Sequence, residues 1–201
     1  MNKLDLLIQE HAPVVVVPKH ENLPALQTTG YRYLVGQDGL KLEVRRPWLH
    51  AVVSHTISVR PGPLLPYGVC PTDKLEITCG AFPAGMRERF IGAARDVLPV
   101  EAAAWIVWDE RTRSFDYVSL RALSSSPEHI HFERPELPMD TWLVMDLHSH
   151  GAARAFFSRT DDEDDAGEVK MAGVFGRLGR PEPEFMGRAC LLGHFVHGVG
   201  A

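Results

Sequence analysis

The sequence has no long hydrophobic run. Its uninterrupted apolar stretches fall far short of the roughly 20 residues that a membrane-spanning helix needs, so no membrane partner is expected. It also lacks an excess of positive charge: 21 Lys and Arg against 26 Asp and Glu leave a formal charge of −5. Nucleic-acid binding wants a clustered basic face, so no nucleic-acid partner is expected either. Cysteine is scarce, with Cys70, Cys79 and Cys190 scattered through 201 residues. Such a set makes neither a disulfide framework nor a CxxC zinc knuckle. The thiols read as small buried hydrophobes in a reducing compartment. Residues 1–10 carry acids where a secretion signal would keep an apolar stretch, so no signal is read and a cytoplasmic location is expected. There is no internal repeat and no low-complexity tract.

What the sequence does have is a globular composition, 45% hydrophobic and 23% charged, and a length that buries a sizeable core without staples. It also has ten histidines, more than packing alone requires.

The first third reads as β structure broken by turns. Val14 to Val17, between Pro13 and Pro18, predicts a short buried strand. Tyr31–Val35 and Leu40–Val44 alternate around Gly36-Gln37-Asp38-Gly39 and predict a hairpin. Trp48 to Val59 is another β-rich run. Residues 60–68 hold three prolines and two glycines, which predicts a linker or wrapping arm. Asp73 to Cys79 reads as one more strand.

Beyond residue 80 the pattern changes. Met86, Phe90, Ala93, Ala94 and Val97 recur at helical spacing and predict an amphipathic helix ending near Leu98-Pro99. Strands are predicted over Ala103–Trp108, Phe115–Leu120, His129–Phe132, Thr141–Leu147, Val169–Leu178 and Ala189–Val196. A helix among six or so strands predicts an α+β domain, a mixed β-sheet flanked by helices. The division expected is a β-rich N-terminal extension of unknown role over residues 1–80 and a second domain over 81–201.

The chemistry lies after the strand at Thr141–Leu147. Side chains two apart on an extended segment point to one face, so His148 and His150 can converge on one ion. The following loop can return Asp161 to close a triad. Neutral imidazoles and a carboxylate suit zinc, and three protein ligands leave a fourth tetrahedral position for water, the mark of a catalytic site. An isolated HxH is weak, as His129 and His131 in the same chain illustrate. The longer pattern is selective: HxH, seven residues, Ser158, two residues, Asp161.

This spacing resembles the JAMM (JAB1/MPN/Mov34) metalloprotease motif. The resemblance implies a JAB1/MPN fold, cytidine-deaminase-like, with Zn²⁺ held by His148, His150 and Asp161. It implies that Glu101, after the helix and before a strand, is the general base, with Glu88, Glu110 and Glu128 as rivals. It implies that Ser158 helps stabilise the oxyanion. Two departures touch loop geometry: Ala104 stands where many relatives have glycine, and Phe157 where many have proline. The endings Gly173–Leu178 and Arg188–Phe195 resemble the prokaryotic JAB proteins of the PRTRC system, a cassette with ThiF-related members.

The activity implied is hydrolysis of a peptide or isopeptide bond at the C-terminal tail of a ubiquitin-like protein, with metal-activated water. A ubiquitin-like or sulfur-carrier protein is then the expected substrate and a ThiF-like activating protein a possible partner. The alternative is a non-catalytic MPN-type scaffold in the same cassette. A nucleobase deaminase is disfavoured by the missing Pro-Cys-x-x-Cys segment. Among the remaining candidates, Asp146 reads either as orienting a ligand histidine or as a solvent-exposed strand end. The acidic run 161–165 reads as a solvated helix start, Asp161 apart, or as an attractor for a basic substrate surface. His194 and His197 read as a strand end and a tail, and Trp105, Trp108 and Trp142 as core.

Overall fold

The computed structural model describes residues 2–55, 65–125 and 130–199. The chain divides into two compact units, residues 1–80 and 81–201.

The first unit opens with helix α1 (Lys3–His11), capped by Asn2, whose side chain accepts from the Leu4 N–H. Its apolar residues Leu4, Leu7 and Ile8 are exposed. Five strands follow, β1 (Val14–Val16), β2 (Gly30–Gly36), β3 (Gly39–Arg46), β4 (Leu49–Ser54) and β5 (Lys74–Ile77), side by side in that order. β1 runs parallel to β2; the other neighbours are antiparallel. The expected hairpin is tighter than its four loop residues suggest: Gly36 pairs with Gly39, and only Gln37 and Asp38 turn the chain. Gly39 sits at φ +127°, a conformation that glycine enters without steric cost. The strand at Val14 differs from expectation, since Val14 and Val16 are exposed. It is an edge strand, and Val17, just past it, enters the core beside Leu34 and Cys70. The run from Trp48 is a strand as far as Ser54. Residues 56–59 of that run and 60–64 of the expected linker lie outside the described residues.

The second unit is a mixed sheet with helical cover. Its six-stranded sheet has the order β13-β12-β11-β10-β6-β7. The strands are β6 (Ala103–Asp109), β7 (Ser114–Ser119), β10 (Thr141–Ser149), β11 (Val169–Gly176), β12 (Glu184–Leu191) and β13 (His194–His197). A separate two-stranded ribbon joins β8 (Ala122–Ser125) to β9 (Ile130–Phe132). Glu128 and His129 lie outside the described residues. The closing segment differs from the single strand expected over Ala189–Val196. Leu192 and Gly193 both take positive φ, +52° and +90°, and fold the chain into a hairpin of β12 and β13.

Helix α2 (Ala84–Asp96) buries Phe90, Ile91 and Ala94. Phe90 packs on Phe175 of β11, ring centroids 5.4 Å apart, which puts α2 on the sheet face that also holds Leu147 and Ser149. The other face holds Ala103, Trp105, Asp146 and His148, set by the register of β10 against β6. Trp105 and Trp108 are buried, and Trp142 is half-buried. β10 and β11 are parallel, so the chain must cross over between them. Helix α3 (Arg159–Asp165) occupies that crossover. Among the described residues no helix is long and apolar enough to cross a membrane.

Candidate metal centre

β10 is an inner strand of the sheet, paired on both sides, and its end carries the site. His148 lies between Val174 of β11 and Ala103 of β6. His150 lies one residue past β10, and its N–H donates to the Phe175 carbonyl at 2.8 Å, extending the ladder. Ser149 points the other way and is fully buried. Its hydroxyl accepts from the Ala102 N–H at 3.0 Å, and its own N–H donates to the Ala102 carbonyl at 3.0 Å. The residue between the two histidines therefore pins the segment that presents Glu101. The spacing motif does not single out Ser149; its signal is a small hydroxyl in an otherwise apolar inward position.

Past His150 the chain turns at Gly151, φ +54°. A side chain there would begin 3.2 Å from the Pro99 carbonyl oxygen. The loop is closed by Leu178 N–H to Gly151 O (2.9 Å) and Arg177 N–H to Ala153 O (2.6 Å). Gly176 allows that approach, because a Cβ on it would lie 2.2 Å from Ala155 N.

Ser158 is the N-cap of α3 and Asp161 its third residue, and the two form a capping box. The Ser158 N–H donates to Asp161 Oδ2 (2.6 Å), the Ser158 hydroxyl donates to the same oxygen (2.7 Å), and the Asp161 N–H donates back to the hydroxyl (3.2 Å). Oδ1 of Asp161 is turned to His148, 3.5 Å from its Nε2.

His148 Nε2 and His150 Nε2 lie 3.1 Å apart, and donor atoms of His148, His150 and Asp161 all fall within 4.8 Å of one another. Bonds of roughly 2.0–2.1 Å at tetrahedral angles separate donors by about 3.3 Å, so the spacings fit one small cation. The donor chemistry fits too: burial, then the neighbouring His148, lowers the pKa of His150 and favours the neutral imidazole that a metal needs. His150 Nδ1 lies 3.3 Å from the Arg154 carbonyl oxygen, a partner that would fix its tautomer.

Glu101 is 6% exposed, with Oε1 4.0 Å from His150 Nε2. Burial, reinforced by the Asp161 carboxylate, pushes its pKa up to about 7. The rivals are elsewhere: Glu88 is exposed on α2, and Glu110 accepts from Trp142 Nε1 at 3.1 Å. A cleft of about 230 Å³ gathers Glu101, His148, His150 and Asp161, with Phe156 and Phe157 at its wall.

The acidic run is not simply solvated. Asp165 is 5% exposed and accepts from Lys170 and Arg188, each at 2.8 Å. Arg188 also pairs with Asp162 and lies sandwiched between the Phe157 and Phe195 rings. Burial disfavours the Asp165 carboxylate, but Lys170 and Arg188 outweigh it and hold its pKa below the ordinary value. Asp146 is only 14% exposed and accepts from Lys170 Nζ at 2.8 Å. Lys170 and Arg188 thus fasten α3, and with it Asp161, to β11 and β12. His194 and His197 begin and end β13, the latter against the Phe157 ring.

Residues 83–189 match the family described as prokaryotic homologs of the JAB domain, and residues 2–78 match a domain of unknown function (DUF2016). A solved solution structure, of a protein from Desulfitobacterium hafniense, aligns at 18% identity with a TM-score of 0.43, over 57% of this chain and 86% of that one. No curated protein matches the chain.

Proposed function

Because the chain belongs to the prokaryotic homologs of the JAB domain, we propose that its second unit is a zinc-dependent metallopeptidase or isopeptidase. The reading rests on one observation: the His148–His150–Asp161 group opens onto a cleft that also holds the buried Glu101. Zinc, the cation that two imidazoles and a carboxylate suit, supplies Lewis acidity that acidifies water and polarises a carbonyl.

The protein's own groups do the rest. Glu101 takes a proton from the attacking water and returns it to the leaving amine. Burial raises the proton affinity of the carboxyl, which suits it to accept that proton. Asp161 repels negative charge on Glu101, so neutralising Asp161 lowers the proton affinity of Glu101. Ser158 donates its single hydroxyl proton to Asp161 Oδ2 in this arrangement; to serve as oxyanion donor it turns from Asp161 toward the substrate oxygen. Phe156, edge-on to His150 with centroids 4.5 Å apart, forms one wall of the site.

The substrate class proposed is the C-terminal tail of a ubiquitin-like or sulfur-carrier protein, laid as an extended strand along the cleft. A ThiF-like activating protein of a PRTRC-type cassette is the proposed partner, and a reducing cytoplasm the proposed setting. The test compares the zinc-loaded full chain with Glu101→Gln on a linear ubiquitin-like fusion. Cleavage by the parent and its loss in a variant that keeps zinc support the hydrolase. Zinc bound with no cleavage by the parent leaves a binding module. Equal turnover by both removes Glu101 from the mechanism.

A further inference from the structure

The loop that leaves His150 has a shallow, open depression on it. Arg154, Arg177 and Arg180 line it together with Ala152, Ala153 and Gly179. All three guanidiniums converge on one carboxylate, Glu184: Arg177 Nε at 2.9 Å, Arg154 Nε at 3.9 Å and an Arg180 nitrogen at 4.0 Å. Three positive charges share one negative partner, in a chain whose formal charge is −5. A surface patch dominated by one sign of charge attracts ions of the other.

The site is built on fixed backbone. Arg177 holds φ +51°, uncommon for a residue with a side chain. Its N–H is tied to Ala153 O at 2.6 Å. Glu184 Oε2 accepts from the Ala155 N–H at 3.4 Å, which holds the same loop from the other side. Arg154 joins the two sites: its carbonyl faces His150 Nδ1 at 3.3 Å, while its side chain, 77% exposed, belongs to the guanidinium cluster. Ala153 lines both the cleft and the depression. A chain lying in the metal cleft and passing Ala153 comes directly to the arginines.

We propose that this cluster is a subsite for an acidic side chain of the protein substrate, near the scissile bond. The proposal rests on the peptidase reading of the adjacent cleft. A carboxylate is the ligand class because one, Glu184, already sits among these guanidiniums, and the planar fork of arginine matches carboxylate geometry. Glu184 offsets one of the three positive charges, so these four groups together stay positive, and a second carboxylate would offset the remainder.

The test measures binding of a fluorescein-labelled, end-blocked hexaglutamate peptide to the full chain by anisotropy at low salt, with hexaglutamine and a phosphoserine peptide as controls. Glu101→Gln serves as the background, so the result does not depend on hydrolysis. Hexaglutamate is expected to bind, hexaglutamine not. Arg154→Gln with Arg180→Gln is expected to weaken binding about tenfold, as loss of charge-assisted bonds does, and Arg154→Lys to restore part of it. In an active parent, acidic residues flanking the cleaved bond should lower KM with little change in kcat. Equal binding of hexaglutamine, unchanged binding by the double variant, or a strong preference for phosphoserine overturns the assignment. Cleavage without acidic preference overturns it while leaving the peptidase reading standing.

Discussion

Glu101 provides a prediction that needs no substrate. In the metal-free protein its carboxyl keeps its proton up to about pH 7, against an ordinary value of 4.5. The unfolded chain therefore releases this proton at lower pH than the fold does. Glu101's contribution to stability is fully present below about pH 4.5 and is lost as pH rises through about 7. At 1.36 kcal/mol per unit the gap corresponds to about 3 kcal/mol, and water entering the open side of the cleft brings the expectation to about 2–3 kcal/mol. His150 acts in the opposite sense: its lowered pKa keeps it neutral in the fold, so its contribution is fully present above about 6.5 and is lost as pH falls below it. The two overlap, and a raw profile would blur them. Comparing the parent with Glu101→Gln isolates the first. Both are stripped of metal and unfolded in urea across the range from acid to mildly alkaline, followed by tryptophan fluorescence. Parent stability relative to the variant should fall by about 2–3 kcal/mol between pH 4.5 and 8. A difference that stays flat with pH would refute the assignment of a neutral, buried Glu101.

Other perturbations report on how the ligands are held. Lys170→Met leaves Asp146 facing Asp165 without the buried ammonium between them, and should cost about 3–5 kcal/mol in urea unfolding. Ser158→Ala removes the N-cap of α3 and the hydroxyl bond to Asp161. It should cost about 1 kcal/mol in stability and weaken zinc binding about tenfold in a competitive chelator titration. Gly176→Ala drives a methyl into the Ala155 amide; zinc affinity should fall because the loop from His150 must shift, whereas Gly179→Ala, with open space around it, should bind zinc as the parent does.

Much of the second unit is written in local pattern. The apolar spacing of Phe90 and Ala94 turns a helix face inward, and period two along β10 puts His148 on the face opposite Leu147 and Ser149. Ser-x-x-Asp is also an N-cap signature, so Ser158 and Asp161 mark a helix start as well as a site. What the sequence conceals depends on distant partners. Asp165, Lys170 and Arg188 read one by one as surface charge, and only the crossover of α3 over β11 and β12 buries them together, with the exposed Asp162 also paired to Arg188. The turn at Leu192-Gly193 is hidden because leucine seldom takes positive φ. Helix α1 has no core-facing stripe to detect, since none of its residues is buried. The Val14–Val16 strand looks like core in composition, but its place at the sheet edge leaves it exposed. Ser149 goes unread because its work, bridging to Ala102, is done across strands.

The measurement that reaches the centre of this account is the zinc content of the chain. The full-length protein is remetallated, dialysed and analysed by elemental mass spectrometry beside a His148→Ala, His150→Ala double variant. The account predicts one zinc per parent chain and none retained by the variant. A parent that holds no zinc, or a variant that holds as much, would contradict it.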